Sequence, residues 1–176
     1  MPEEIPNNFS ASDISFREMS ENDAVKTFQD DGYFGYAKRS MRYGPNLSKD
    51  SIWATAPAKM FVAYWNDTPV GVCGISTHKN VLLSAGVHIR KEYQRKGLFK
   101  ICTDKILSEK GSKTLYINVT NAKVGAALRD KGFNDMNRED LPEDIQEELE
   151  GTKYADQVQK WMMYSSEWQR VLKTWK

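Results

Sequence analysis

Between Gln94 and Lys100 the chain reads Gln-Arg-Lys-Gly-Leu-Phe-Lys, which sets two adjacent cations and a glycine just ahead of a stretch with helical spacing. A turn of this composition at a helix start binds anions, because the first backbone N–H groups have no partner inside the helix and the positive end of the macrodipole lies there. Arg95 and Lys96 add charge, and Gly97 permits positive φ or a close approach to a phosphate. Leu98, Ile101, Cys102 and Ile106 fall at i, i+3, i+4 and i+8, so the helix has one buried face. Upstream, Val81 to Ile89 is an apolar, strand-like run. A strand, an anion turn and a helix in that order point to a phosphorylated ligand.

The spacing Gln94-x-x-Gly97-x-Phe99 resembles the Arg/Gln-x-x-Gly-x-Gly/Ala signature of the GNAT superfamily of N-acetyltransferases. Phe99 stands where that family usually has a small residue. A second stretch, Asn121 to Phe133, resembles the family's Asn-x(5)-Leu-Tyr-x-Lys-x-Gly-Phe segment through Asn121, Gly132 and Phe133, with Ala127, Leu128 and Asp130 in place of Leu, Tyr and Lys. The resemblance covers Val81 to Phe133 best. It implies an α/β (α+β) acyl-CoA N-acyltransferase fold, a mixed central sheet of about six to seven strands with helices on both faces.

For function, the resemblance implies transfer of acetyl from acetyl-CoA to a primary amine in a ternary complex. The cofactor-binding residues it marks are Val87, His88, Ile89, Gln94, Arg95, Lys96, Gly97, Leu98, Phe99, Lys100 and Asn121. Backbone N–H groups around Val87, His88 and Ile89 are then the expected oxyanion donors. Acetyl transfer also needs a base for the amine and an acid for the departing thiolate. The family's acid position is Leu128, which cannot donate a proton, so Tyr116 or solvent is the substitute. His88 has the position, and an imidazole, whose reference pKa is about 6.5, suits base work, although strand alternation points it away from the face shared by Val87 and Ile89 unless a bulge intervenes. Ordered water is the alternative base, and His78 reads as a loop residue.

The family frames its acceptor with the first helices, which here bring Tyr33, Phe34, Tyr36, Arg39 and Tyr43. An aromatic rim with one Arg suits a small amine that carries a carboxylate. An acidic helix from Glu143 to Glu150 leaves a peptide or protein lysine, or a protein N-terminus, as the second acceptor class. Two other function classes remain: a GNAT-like module eroded at Phe99 and Leu128 that binds CoA without catalysis, and a nucleic-acid binder using Arg90, Lys91, Arg95, Lys96 and Lys100. The formal net charge of +1 weighs against the last and against a membrane-coating role.

At 176 residues the sequence predicts one domain over 1–176, with a flexible N-terminus at 1–12 and a C-terminal amphipathic helix at 166–176 built on Trp168, Val171, Leu172 and Trp175. Cys73 and Cys102, the only cysteines, lie in apolar surroundings without metal-ligand spacing, so reduced core thiols, no metal and a cytoplasmic setting are expected. No secretory leader or membrane span is read. A homodimer stays open.

The elements that position these groups follow from local pattern. Asp13 to Met19 reads as a strand, and Ser20 to Asp23 caps a helix through Val25 and Phe28. Tyr33 to Met41 resumes helical spacing after a break. Met60 to Trp65 and Val70 to Ile75 form a hairpin about Asn66-Asp67-Thr68-Pro69. Thr114 to Val119 follows the cofactor helix as a parallel strand. Asp140 to Leu149 starts a short acidic helix, and Trp161 to Ser165 is the last strand.

Overall fold

The computed structural model describes residues 4–33, 58–78, 81–119, 122–143, 146 and 160–164. Their strands form a mixed seven-stranded sheet in the order β1-β2-β3-β4-β5-β7-β6. The chain falls into two compact units, the first comprising 1–36, 58–75 and 85–109 and the second 37–57, 76–84 and 110–176.

In the first unit, strand β1 (Ser15–Met19) runs antiparallel to β2 (Ala58–Trp65), with Ser15 opposite Tyr64 and Met19 opposite Met60. Strand β1, Ser-Phe-Arg-Glu-Met, has no buried residue and stays largely exposed, as an edge strand does. Strand β2 is the reverse: Met60, Phe61, Val62 and Ala63 are consecutive and all buried, the pattern of a strand covered on both faces. Helix α1 (Glu21–Phe28) starts at Ser20, whose Oγ accepts the Asp23 N–H at 3.2 Å, and it buries Ala24 and Phe28. Helix α2 (Leu98–Glu109) buries Leu98, Ile101, Cys102 and Ile106, the face expected from the spacing. Cys73 and Cys102 are free buried thiols, and a hydrogen bond between them together with burial pushes the Cys73 thiol up.

Strands β3 (Thr68–His78) and β4 (Val81–Ile89) follow. The hairpin between β2 and β3 corrects the sequence reading. Its turn is only Asn66 and Asp67, both left-handed at φ 46° and 62°, and Pro69 lies inside β3. Two left-handed central residues match the twist of the paired strands, and Asn and Asp tolerate that conformation best after glycine. Arg17 holds the Asp67 carboxylate at 2.6 Å.

In the second unit, the start of β4 pairs in parallel with β5 (Leu115–Val119), with Leu82 opposite Leu115 and Leu83 opposite Tyr116. Strand β7 (Lys160–Tyr164) lies antiparallel between β5 and β6 (Asn134–Met136). The sequence pattern did not anticipate β6, whose three residues are too short to show a period. Helix α3 (Ala122–Asp130) ends where the Phe133 N–H reaches the Leu128 carbonyl at 3.1 Å, and Phe133 then packs edge-on against Tyr164 at 5.3 Å. The helix expected at 166–176 lies outside the described residues, as does most of the acidic helix after Pro142. Among the described residues no helix is long and apolar enough to cross a membrane.

Residues 4–12, read as flexible, include a buried Phe9 and the start of a short 3-10 turn, Ala11–Asp13. The Ser10 N–H donates to Asp13 Oδ2 at 2.7 Å, and the aromatic side chain has a place to go, which its polar neighbours concealed.

Candidate active site

Strand β4 delivers the chain to the anion turn. After Ile89 the Arg90 N–H donates to the Val70 carbonyl at 3.0 Å, which pins the strand end. A single 3-10 turn, Lys91–Tyr93, then reverses the backbone. Two left-handed residues follow, Arg95 at φ 62° and Gly97 at φ 86°, and α2 opens at Leu98. The Gly97 carbonyl accepts from both Lys100 and Ile101, at 3.1 and 3.3 Å. Upstream, the Gln94 N–H is taken by the Lys91 carbonyl at 3.3 Å. Between these points lie five consecutive amides, Arg95 to Phe99, none of which donates to a backbone carbonyl among the described residues. Amides without backbone acceptors among the described residues, in a turn with left-handed residues at the start of a twelve-residue helix, are donors that an anion can use.

The side chains of the turn do less than their types suggest. Gln94 folds back, its Nε2 donating to the Ile89 carbonyl at 3.0 Å, so it braces the turn instead of reaching outward. Lys96 Nζ donates to the Pro6 carbonyl at 3.0 Å. Leu98 is buried in the core, so only its amide is available to a ligand. Phe99 is half-buried, and Arg95 and Lys100 remain exposed cations. A Cβ on Gly97 would lie 2.6 Å from Asn8 Oδ1 and 3.3 Å from the Phe9 carbonyl oxygen, so the glycine accommodates the chain's own N-terminal segment.

At the end of α1 a second cluster surrounds β4. The His88 ring packs against Phe28 at 5.8 Å and Tyr33 at 5.2 Å, and those two rings meet edge-on at 6.2 Å. Arg90, two residues further along, places its guanidinium carbon 5.2 Å from the Phe28 ring centre. Its Nε lies 3.0 Å from Asp31 Oδ2, and its Nη2 donates to the Thr27 carbonyl at 3.1 Å. Within β4, Gly86 has φ 90°, a conformation typical of a bulge that breaks strict alternation. Val87, His88 and Ile89 are each half-buried. The structure therefore brings two predicted residues, His88 and Tyr33, into contact, and adds Phe28, Asp31 and Arg90, which the sequence reading did not place there. The two-residue spacing of His88 and Arg90 was the available signal, since such residues share a face of an extended chain. Tyr36 and Arg39, with Phe34 and Tyr43, lie outside the described residues, as does Asn121.

In the second unit Tyr116 stands on β5 opposite Met163 of β7. Burial raises its phenol pKa above the ordinary value of 10.0, so the proton stays on the oxygen across the neutral range. Leu128, at the family's tyrosine position, is 1% exposed and belongs to the core of this unit.

No protein-family model matches the chain, and no curated protein sequence does. Solved structures match its fold. The ribosomal-protein-S18-alanine N-acetyltransferase from Escherichia coli superposes with a TM-score of 0.53 at 15% identity, covering 85% of this chain and 90% of that one. An acyl-CoA N-acyltransferase from Pseudomonas aeruginosa gives 0.55 at 12% identity, covering 86% and 99%. N-acetylglutamate synthase from Neisseria gonorrhoeae, solved with coenzyme A and N-acetyl-glutamate, gives 0.58 at 12% identity, and this chain spans 34% of its length. The chain thus has the GNAT acyl-CoA N-acyltransferase fold, as the motifs around Gln94 and Gly132 implied.

Proposed function

We propose that this chain is an N-acetyltransferase that moves acetyl from acetyl-CoA to the primary amine of a small, amino-acid-like acceptor, in a ternary complex. The observation that carries the reading is the run of five amides from Arg95 to Phe99 without backbone acceptors among the described residues. They offer a diphosphate several donors at fixed positions, and exposed Arg95 and Lys100 add charge beside them. The shared fold supports the same use of the turn.

In the transfer, the neutral amine nitrogen attacks the thioester carbonyl and forms the C–N bond while the carbonyl pair moves onto oxygen. Collapse breaks the C–S bond, the sulfur takes a proton and the nitrogen loses one. Amides at the end of β4 are proposed to stabilise the oxyanion. His88 takes the nitrogen's proton, directly or through one water, and Tyr116, whose phenol stays protonated, supplies the proton to sulfur. Tyr33 lines the acceptor side by virtue of its contact with His88. A cytoplasmic setting is part of the proposal and fits two reduced core cysteines.

The test is release of free thiol from acetyl-CoA in the presence of amino acids, polyamines, aminoglycosides and lysine peptides, with CoA-induced thermal stabilisation alongside. Turnover with a carboxylate-bearing amine supports the full reading. Preference for polyamines or lysine peptides moves the acceptor class, whereas CoA stabilisation with no turnover on any amine selects the eroded module, which the burial of Leu128 makes a specific alternative.

A further inference from the structure

We infer that the segment from Pro6 to Phe9 is a strap that holds the anion turn in its ligand-receiving form, and that Lys96 is a positioning residue committed to this strap. The inference rests on the reading of that turn as the CoA site. Lys96 grips the strap from both of its ends. Its carbonyl accepts the Phe9 N–H at 2.8 Å, and its ammonium donates to the Pro6 carbonyl at 3.0 Å. Between those grips Asn8 lies over Gly97, where a Cβ would come within 2.6 Å of the Asn8 Oδ1 and force that side chain to shift. Phe9 anchors the arrangement. It is 4% exposed, with Trp65 edge-on at 5.7 Å and Tyr93, itself a turn residue, at 6.3 Å.

The turn has reason to need such a fastening. Arg95 holds a left-handed backbone that L side chains disfavour, and the five amides that face a ligand contribute no backbone hydrogen bonds to the turn. A segment in that state persists only where its surroundings determine it. The strap supplies contacts from the outer side and uses the Lys96 carbonyl and ammonium while leaving the Lys96 amide to the ligand. A turn that is competent for only part of the time binds more weakly by that fraction, so loosening the strap raises the apparent Kd for CoA without touching the reacting atoms.

The experiment uses Phe9→Ala, Lys96→Met and the double variant in the full chain, with Phe9→Leu as the conservative replacement. Each single substitution should raise the KM for acetyl-CoA by roughly five- to tenfold. For Phe9→Ala, kcat at saturating acetyl-CoA and the acceptor KM should stay within about twofold, and Phe9→Leu should recover most of the loss. The double variant should be no worse than the weaker single one, because both changes release the same strap. Additive losses in the double variant, or Phe9→Ala leaving the acetyl-CoA KM unchanged, would overturn the inference and return Lys96 to direct phosphate contact. Hydrogen exchange in the protein without CoA provides a readout independent of ligand binding and of overall destabilisation. The amides of Gln94, Lys100 and Ile101 should exchange faster in both single variants while those of β2 keep their protection. Unchanged exchange at those three amides also overturns the strap. If the parent chain fails to bind CoA, the CoA reading falls with the strap's role toward it, and the exchange data alone decide whether the strap holds the turn.

Discussion

The imidazole of His88 lies against the ring of Tyr33, with centroids 5.2 Å apart and planes inclined by 33°. The contact joins β4 to the chain just beyond α1, and Phe28 completes a three-ring cluster, 5.8 Å from the imidazole and 6.2 Å from Tyr33. An imidazole packed against two rings that also touch each other is restrained on that side, which suits a base that must meet an amine in one orientation.

The first prediction concerns that residue. With His88 as the base, His88→Phe keeps the aromatic packing and should lower kcat by about 10²-fold or more, with the acetyl-CoA KM little changed. Steady-state kinetics across pH checks it. A loss below about tenfold, with the pH profile unaltered, assigns deprotonation to solvent.

Tyr116 and Leu128 make a paired prediction. Tyr116→Phe should reduce kcat by about 10²-fold if the phenol protonates the thiolate, and a thioester with a more acidic thiol should recover part of the loss. Leu128→Tyr, at the family's usual acid position, should not substitute for it, because Leu128 is 1% exposed. Forcing a larger polar ring into that core costs about 1–3 kcal/mol, readable as a drop in Tm. The raised phenol pKa of Tyr116 also sets a sign. The folded state keeps a proton that the unfolded chain gives up above about pH 10, so the contribution of this group to stability is constant through neutrality and falls as pH climbs past the ordinary value of 10.0. Tyr116→Phe removes that alkaline loss.

Gly97 and Gly111 separate strain from crowding. Both are left-handed, at φ 86° and 60°, but a Cβ on Gly111 meets nothing within 4 Å, whereas one on Gly97 meets Asn8. Alanine should therefore cost about 1–2 kcal/mol at Gly111, from the backbone alone, and more at Gly97. Urea denaturation of the two variants checks the order. Equal losses would mean that the N-terminal segment does not press on the turn in solution.

The elements around the site were legible where burial imposes a period. The face of α2 and the span of β4 could be read directly, because apolar residues recur at the spacing each element requires. The hairpin was located but its turn misread, since Pro69 looks like punctuation whereas the left-handed pair Asn66 and Asp67 makes the reversal. What escaped was set by contacts between distant parts of the chain. Lys96 meets Pro6 across ninety positions, and nothing local to Arg95-Lys96-Gly97 distinguishes an ammonium that binds phosphate from one that binds a carbonyl. Arg90 was read as one more surface cation, because its partners Thr27 and Asp31 lie at the far end of another element.

Arg90 is the residue for the last prediction. Its guanidinium touches three kinds of partner: the Asp31 carboxylate, the Thr27 carbonyl that ends a helical turn, and the face of Phe28. A planar guanidinium can donate to the Thr27 carbonyl from its edge, pair by charge with Asp31 and set its face toward a ring at the same time, and an ammonium cannot. Arg90→Lys should therefore behave nearly like Arg90→Ala. Both lose about 1–2 kcal/mol of stability, a figure kept low because the pair is partly open to solvent. Both also release the chain after α1, and with it Tyr33, from the His88 ring. The kinetic signature follows from that release: the acceptor KM should rise by about tenfold while the KM for acetyl-CoA stays near the parent value, since the amides from Arg95 to Phe99 are not part of this cluster. Full rescue by lysine would show that charge alone matters at this position, and an equal rise in both KM values would mean that Arg90 supports the cofactor turn instead of the acceptor side.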